Sequence, residues 1–247
     1  MEDSLSIITQ EVGYRDGDVD LSGVFVSDDN LTEKGPGILV AHGGAGLDEH
    51  AKGRAKRFAA AGFVVFACDM YGNGVAGDRQ RVMATLMGLR KNPAKIRQRV
   101  CAGLDVLRSH PLVDDRTAAV GYCFGGTTVL ELARSGADVS GVVSVHGSLD
   151  TSQPPEPGTV KAKILVCHGG LDPHVPMTQV NTFIEEMKAV SADLQLIIYG
   201  GAMHGFTHEG GPPLPGVAYD AATDVRSATA IQAFFTELFR APSASRS

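Results

Sequence analysis

The stretch TAAVGYCFGGTTVLELA, residues 117–133, decides the fold that the sequence predicts. Its first part, 117–122, is apolar and of strand length, whereas the part after it has the apolar spacing of a helix. The junction holds G-Y-C-F-G, residues 121–125, which matches the G-x-S-x-G turn with cysteine in place of serine. We therefore predict a strand, a sharp turn that carries Cys123, and a helix whose N-terminus favours the thiolate.

Strands and helices alternate on both sides of this turn. Continuous apolar runs indicate strands that are covered on both faces. Strands are predicted at 36–42, 62–68, 117–122, 139–146, 162–168 and 194–200, and helices at 47–60, 79–90, 94–109, 126–135, 177–190 and 217–240. The segments 5–12 and 20–26 predict an antiparallel lead-in hairpin. The alternation implies βαβ units, so we predict an α/β fold with a mostly parallel, doubly wound sheet flanked by helices.

The composition is typical of a globular protein with a net negative charge. Of 247 residues, 43% are hydrophobic and 20% are charged, and the formal net charge is −6. This balance favours a globular chain over a disordered one. We predict a single domain over 1–247, with the lead-in hairpin within 1–30 and a frayed tail at 241–247. The acidic balance makes nucleic acid and anionic membrane surfaces poor partners.

The ends and the cysteines suggest where the protein is found. The N-terminal residues are acidic rather than basic, unlike a signal peptide, and apolar runs such as 62–68 are too short to span a membrane. The four cysteines have no C-x-x-C spacing. We expect a reduced, cytoplasmic protein with a small-molecule substrate, and we leave open whether it is a monomer or a homodimer.

Three predicted strand ends carry the residues of a candidate catalytic triad. Cys123, Asp172 and His204 each follow a strand, and ligands bind at the carboxyl ends of parallel strands. Singly, Cys123 fits a buried structural cysteine as well as a nucleophile, whereas Asp172 fits a helix cap better and His204 a solvated loop histidine better. Their order along the chain, nucleophile then acid then base, is that of the α/β-hydrolase triad. The joint pattern favours a triad over the three separate explanations.

The chain resembles the dienelactone hydrolase family, which consists of α/β-hydrolases that use cysteine as nucleophile. The resemblance runs from about 20 to 240 and is carried by GYCFGG at 121–126, HGGLDPHVP at 168–176 and MHGF at 203–206. It implies an α/β-hydrolase fold of about eight strands that needs no metal and no cofactor. It also implies Cys123 as nucleophile, His204 as base and Asp172 as the residue that orients the imidazole.

A reaction follows from these roles. The Cys123 thiolate attacks an acyl carbon, and His204 protonates the leaving alcohol and then activates water against the acyl-cysteine. Backbone N–H groups of Phe124 and Gly44 are expected to hold the oxyanion. We expect neutral carboxylic esters or lactones as substrates. A cysteine nucleophile also suggests side activity on organophosphate triesters such as paraoxon, because a P–S bond is weaker than the bond that traps serine hydrolases.

Two departures from the family pattern bear on the substrate. Family members that open dienelactone carry a glutamate beside the nucleophile, where this chain has Gly43, and Glu49 is interpreted as a solvated helix residue. They also bind the substrate carboxylate with two arginines. This chain has His208 at one of these arginine positions. The other position falls in the region of Arg79 and Arg81, for which an exposed helix face is the alternative explanation. Because this chain lacks at least one of the two arginines that bind a substrate carboxylate, we expect neutral esters as substrates.

Other patterns suggest other functions. GNGVAG at 72–77 has the outline of a dinucleotide site but lacks the acidic ribose partner, so we interpret it as a glycine-rich loop. His204, His208 and Glu209 could mimic a metal site, yet they follow no H-E-x-x-H helix pattern. A thiol-based redox sensor at Cys123 and a non-catalytic ligand-binding relative stay open as alternatives.

Overall fold

An eight-stranded sheet forms the centre of the fold. The computed structural model describes residues 5–211 and 214–240. The strands are β1 (Ile7–Asp16), β2 (Val19–Asp28), β3 (Gly35–Ala41), β4 (Val64–Cys68), β5 (Val113–Tyr122), β6 (Gly141–Val145), β7 (Lys163–Gly169) and β8 (Leu194–Tyr199). Their order is β1-β2-β4-β3-β5-β6-β7-β8. The hairpin β1–β2 joins β4 antiparallel, and all other pairs are parallel. The predicted α/β-hydrolase fold is confirmed.

Six helices in the described part of the chain cover the two faces of the sheet. They are α1 (Glu49–Ala60), α2 (Arg79–Arg90), α3 (Pro93–Ser109), α4 (Phe124–Arg134), α5 (Met177–Ala189) and α6 (Ala221–Phe239). Helices α2 to α5 pack their apolar residues into one core cluster, and α1 and α6 pack theirs into the other. Because both faces are covered, the central strands are almost wholly buried, which explains their continuous apolar sequences.

Several predicted boundaries differ from the observed ones. Helix α4 begins at Phe124 rather than at 126, because the chain becomes helical directly after Cys123. Strand β6 ends at Val145 because His146 adopts a left-handed backbone conformation, with φ of 41°. Helix α6 begins at 221 rather than 217, where the Asp220 side chain accepts a hydrogen bond from the Thr223 N–H and caps the helix.

Two predictions reach beyond the described residues. The tail at 241–247 lies outside them, as do residues 1–4 of the lead-in segment. The single domain over 1–247 therefore stays a prediction. Within the described part of the chain, no helix is both long and apolar enough to cross a membrane.

The strand order brings the site together at one edge of the sheet. The chain runs from β3 to β4 on one side of β3 and then crosses to β5 on the other side. The segments that follow β3 and β5 are therefore neighbours at the carboxyl end of the sheet, where α/β folds bind ligands. The segments that follow β6, β7 and β8 lie along the same edge because these strands are parallel.

Candidate active site

Cys123 lies on a sharp turn between β5 and α4. Its backbone has φ of 54° and ψ of −115°, a conformation that non-glycine residues rarely adopt. Two glycines allow the turn: a Cβ on Gly121 would overlap the Gly125 carbonyl, and a Cβ on Gly125 would overlap the carbonyl of Ala41 in β3. The strain is maintained by tight backbone packing, and it holds Cys123 at the N-cap of α4.

His204 lies within hydrogen-bond distance of both other predicted triad residues. His204 Nε2 is 3.2 Å from Cys123 Sγ, and His204 Nδ1 is 2.8 Å from Asp172 Oδ2. The other carboxylate oxygen, Oδ1, accepts hydrogen bonds from the backbone N–H groups of His174 and Val175 at 2.8 and 3.1 Å. Asp172 is thus fixed by its own turn, and it can orient the imidazole toward the sulfur.

The electrostatics of the site favour a thiolate beside an imidazolium. Burial lowers the pKa of His204, but the hydrogen bonds and negative charges of Asp172 and Cys123 outweigh it and raise the pKa to about 9. Burial raises the pKa of Cys123, but the hydrogen bond and charge of His204 outweigh it and lower the pKa below its usual value. The pKa of Asp172 is also lowered, since contacts with His204 and backbone N–H groups exceed the effect of burial.

Two backbone N–H groups face the sulfur from different segments. Backbone hydrogen bonds of Phe124 and Gly44 both act to lower the Cys123 pKa, so they stabilise negative charge on the sulfur. The sequence predicts the same two N–H groups as donors to the oxyanion, and that role stays a prediction.

The loop after β3 is held in place by two side chains that sequence analysis missed. The Met70 N–H donates to His42 Nε2 at 3.0 Å, so the neutral ring carries its proton on Nδ1 and donates to the Gly43 carbonyl at 2.7 Å. The Tyr71 hydroxyl donates to the Gly44 carbonyl at 2.9 Å. With both carbonyls engaged, the loop is fixed with the Gly44 N–H toward Cys123.

Residue 43 directly adjoins Cys123. A Cβ on Gly43 would lie 3.8 Å from the Cys123 Cβ and 3.6 Å from the Tyr122 carbonyl oxygen, both ordinary contact distances. The position therefore has room for the start of a side chain beside the sulfur. Glu49 does not occupy that place: its side chain is 85% exposed and pairs with Lys52 at 3.4 Å.

Of the three predicted substrate-binding side chains, two are exposed and the third packs against another histidine. Arg79 and Arg81 are exposed in the first turn of α2, and Arg81 Nη1 donates to the Gly74 carbonyl at 2.6 Å. The His208 ring packs against the His50 ring with centroids 4.5 Å apart. Their role in binding a substrate stays a prediction.

A buried polar group behind the turn also escaped sequence analysis. His146 follows β6, and its ring nitrogens contact the Cys123 N–H and the Thr207 hydroxyl at 3.1 and 2.9 Å. The signal that could have revealed it is a histidine at the carboxyl end of an otherwise apolar strand. Among the described residues, no group of three or more His, Cys, Asp or Glu is arranged to hold a metal ion.

Comparison with known proteins gives one family and several relatives. A profile of the dienelactone hydrolase family matches residues 21–239, which include Cys123, Asp172 and His204. The chain is 38% identical to a dienelactone hydrolase-like promiscuous phosphotriesterase from metagenomic libraries, whose crystal structure gives a TM-score of 0.90 and covers 95% of this chain and 99% of that one.

Two curated relatives match over shorter stretches. An uncharacterised protein of Caenorhabditis elegans is 38% identical over 150 residues, which are 59% of this chain and 95% of that protein. A carboxymethylenebutenolidase homolog of Mus musculus is 28% identical over 134 residues, which are 54% of this chain and 53% of the mouse protein.

Proposed function

The chain belongs to the dienelactone hydrolase family and is a hydrolase of that type, and we propose that it cleaves neutral carboxylic esters or lactones through an acyl-cysteine at Cys123. One observation carries this proposal. Sγ of Cys123 lies 3.2 Å from His204 Nε2, and the Phe124 and Gly44 N–H groups face the same sulfur. A nucleophile, a proton donor and an oxyanion site therefore converge on one point.

The reaction begins with the Cys123 thiolate and the His204 imidazolium. The sulfur lone pair forms a bond to the acyl carbon, and the carbonyl electrons move to the oxygen, which the two backbone N–H groups stabilise. When the oxyanion collapses, the C–O bond to the leaving group breaks and His204 Nε2–H protonates the departing oxygen. The products of this half are an alcohol and an acyl-cysteine.

The second half regenerates the enzyme. His204, now neutral, accepts a proton from water as the water oxygen attacks the acyl carbon. The C–S bond breaks, the carboxylic acid leaves, and the thiolate is restored beside the imidazolium. Asp172 keeps Nδ1 protonated through its 2.8 Å contact, so that Nε2 is the nitrogen that exchanges protons.

The charge of the surroundings supports a neutral substrate. Arg79 and Arg81 lie exposed in the first turn of α2, and Arg81 is already bonded to a backbone carbonyl. His208 packs on His50 rather than on the triad. The described residues thus offer no preformed pair of guanidinium groups at Cys123 for a substrate carboxylate.

Phosphotriesters are the second substrate class that we propose. A relative that is 38% identical over nearly the whole chain is a promiscuous phosphotriesterase. The same thiolate can attack phosphorus and expel an aryloxide, which leaves a phosphoryl group on sulfur. Water then attacks the phosphorus, the P–S bond breaks, and the thiolate is restored. A P–S linkage gives a better leaving group than the P–O linkage of an inhibited serine hydrolase, so the second step permits turnover.

A comparison of two substrates and two variants tests the proposal. Hydrolysis of p-nitrophenyl butyrate and paraoxon is followed for the wild type, Cys123→Ala and, as a matched control, Cys101→Ala, which changes a half-buried cysteine away from the site. We expect Cys123→Ala alone to lose at least about 10³-fold in kcat/KM for the ester. Equal ester hydrolysis in all three proteins would contradict the mechanism. Paraoxon hydrolysis that stops after a single turnover would contradict only the proposed phosphotriesterase activity.

A further inference from the structure

The backbone N–H of the nucleophile is bound to a buried histidine. The Cys123 N–H donates to the Val145 carbonyl at 3.0 Å and to His146 Nδ1 at 3.1 Å. His146 is 2% exposed and has φ of 41°, so the end of β6 carries a second strained residue next to the nucleophile turn. The mechanism above assigns His146 no proton to transfer.

The donor at Cys123 fixes the tautomer of this ring. Since an amide N–H can only donate, His146 Nδ1 must accept, and the neutral ring carries its proton on Nε2. That Nε2–H then donates to the Thr207 hydroxyl oxygen at 2.9 Å. Thr207 comes three residues after His204 in the same loop. The ring of His146 therefore joins the segment of the nucleophile to the segment of the base.

Thr207 is in turn held from the opposite side. His50 Nε2 lies 3.1 Å from its carbonyl oxygen and 3.3 Å from its hydroxyl oxygen. The Arg54 guanidinium also donates to that carbonyl and forms a buried pair with Asp224, with Nη1 to Oδ1 at 2.7 Å. Thr207 is thus anchored to α1, and through Arg54 to α6, so it cannot shift without breaking buried polar contacts.

Protonation of either ring is opposed by the surroundings. Burial, followed by the charges of His204, His50 and Arg54, lowers the pKa of His146 well below its usual value. Burial, followed by the charges of Arg54 and His208, lowers the pKa of His50 to about 4, against smaller opposing effects of Asp48 and the Thr207 carbonyl. Both rings are therefore neutral at neutral pH, as the acceptor role of His146 Nδ1 requires.

We propose that His146 and Thr207 are positioning residues whose hydrogen bond sets the distance between Cys123 and His204. This His146–Thr207 bridge rests on the proposed function, because it matters only if the two residues form a thiolate–imidazolium pair. The bridge spans the nucleophile turn at one end and the base loop at the other, while the 3.2 Å contact of Sγ with Nε2 spans the same two segments. Loss of the bridge leaves Thr207 bound to α1 but unlinks the base loop from the turn of Cys123, so the Sγ–Nε2 distance is no longer fixed and the thiolate loses part of its stabilisation.

The pH dependence of Cys123 alkylation measures this effect without any ester. Iodoacetamide modification is followed by mass spectrometry of the peptide that contains Cys123, in the wild type, Thr207→Val and Thr207→Ser. We expect the apparent pKa of Cys123 to rise by about 1 in Thr207→Val. At pH values below the wild-type pKa, alkylation should then be roughly tenfold slower, because a tenfold smaller fraction of Cys123 is thiolate. Thr207→Ser retains the hydroxyl and should keep the wild-type profile. Melting temperatures of all three proteins separate this effect from a loss of folding.

A double-mutant cycle identifies the partner of Thr207. In His146→Asn the amide oxygen replaces Nδ1 as acceptor for the Cys123 N–H, but the contact with Thr207 is lost. If the two residues act through one hydrogen bond, His146→Asn combined with Thr207→Val raises the Cys123 pKa no further than either change alone. If Thr207→Val fails to fold, the cycle cannot be completed and His146→Asn alone tests the bridge: it must then raise the Cys123 pKa.

The outcomes distinguish the bridge from the function on which it rests. A wild-type Cys123 with the pKa of an ordinary thiol would overturn the proposed function and the bridge together. A low wild-type pKa that persists in Thr207→Val and in His146→Asn would overturn the bridge alone. Strictly additive shifts in the double mutant would also overturn it, since they would mean that the two side chains act independently.

Discussion

At the scale of single residues, position 43 controls the charge beside the nucleophile. Because residue 43 is glycine, it places no charge next to Cys123, and His204 is the charged side chain that contacts the sulfur. A Cβ at position 43 would lie 3.8 Å from the Cys123 Cβ. This supports the proposed thiolate–imidazolium pair at rest, rather than a thiol that a neighbouring carboxylate must activate. The absence of a side chain at residue 43 keeps a second negative charge away from the sulfur.

Placing a carboxylate at this position should weaken the pair. In Gly43→Glu we expect the apparent pKa of Cys123 to rise by about 1 or more, because a like charge within a few ångströms disfavours the thiolate. Gly43→Gln is the matched control, since it adds nearly the same volume without charge. The measurement is the pH profile of Cys123 alkylation. An unchanged profile in Gly43→Glu, or equal shifts in both variants, would contradict the electrostatic explanation.

The sequence located the three side chains of the candidate triad, which the structure brings into contact, but not the residues that surround them. Cys123, Asp172 and His204 lie in short motifs at strand ends, so their relation could be inferred from order alone. His146 and Thr207 belong to no motif. Their contact depends on the position of β6 beside β5 and on the path of the loop after β8, which only the folded chain reveals.

At the scale of elements, a buried ion pair joins α1 to α6. Arg54 Nη1 and Nη2 donate to the two carboxylate oxygens of Asp224 at 2.7 and 3.0 Å, and both side chains are less than a tenth exposed. Burying a charge is costly unless it is paired. The pair therefore matters most through the cost of leaving one partner alone.

Removing the carboxylate should destabilise the protein strongly. For Asp224→Asn we expect the free energy of unfolding to fall by about 3–5 kcal/mol, because Arg54 then keeps a buried charge without its counterion. Arg57→Ala is the control: this side chain is 64% exposed and 3.8 Å from Asp224, so its loss should cost about 0–1 kcal/mol. Urea denaturation of both variants measures the difference. Similar midpoints for the two would refute this view of the pair.

Element positions followed from the sequence, whereas some boundaries did not. Apolar runs and helical periodicity located all the described strands and helices, because both faces of the sheet are covered. The start of α4 was placed two residues late, since glycines at 125 and 126 argue against a helix when read locally. Tertiary packing of these glycines against β3 and the segment after β6 overrides that preference.

At the scale of the whole molecule, the strand order brings the residues of the candidate site together at the carboxyl end of the sheet. Segments after β3, β5, β6, β7 and β8 all meet there. Alternation of strands and helices predicted a parallel sheet, but it does not specify which strands are neighbours. That order decides that Gly44, from the segment after β3, faces the same sulfur as Phe124.

The cysteines elsewhere in the sheet bear on the redox-sensor alternative. Burial raises the pKa of Cys68 and of Cys167 to about 12 in each case. Neither forms a thiolate near neutral pH, so neither is suited to resolve an oxidised Cys123. This chemistry favours the hydrolase proposal over a sensor that closes a disulfide with one of these two residues.

The charged state of the triad predicts a pH dependence that varies with the leaving group. His204 has its pKa raised to about 9, so the imidazolium is present below about pH 9 and is lost as the pH rises through that value. For an alkyl ester, whose alkoxide must be protonated, kcat/KM should fall above about pH 9. For the p-nitrophenyl ester, whose leaving group departs as an anion, it should not fall. Parallel profiles for the two esters would contradict the role of His204 as proton donor.

The acyl-cysteine itself is the most direct test of the central claim. The protein is mixed with p-nitrophenyl butyrate in a rapid-quench instrument, stopped with acid within the first turnover, and digested for mass spectrometry. We predict that the butyryl group is found on the peptide containing Cys123, that its appearance matches the release of nitrophenol, and that Cys123→Ala shows neither. A butyryl group on another residue, or undiminished hydrolysis by Cys123→Ala, would contradict the account.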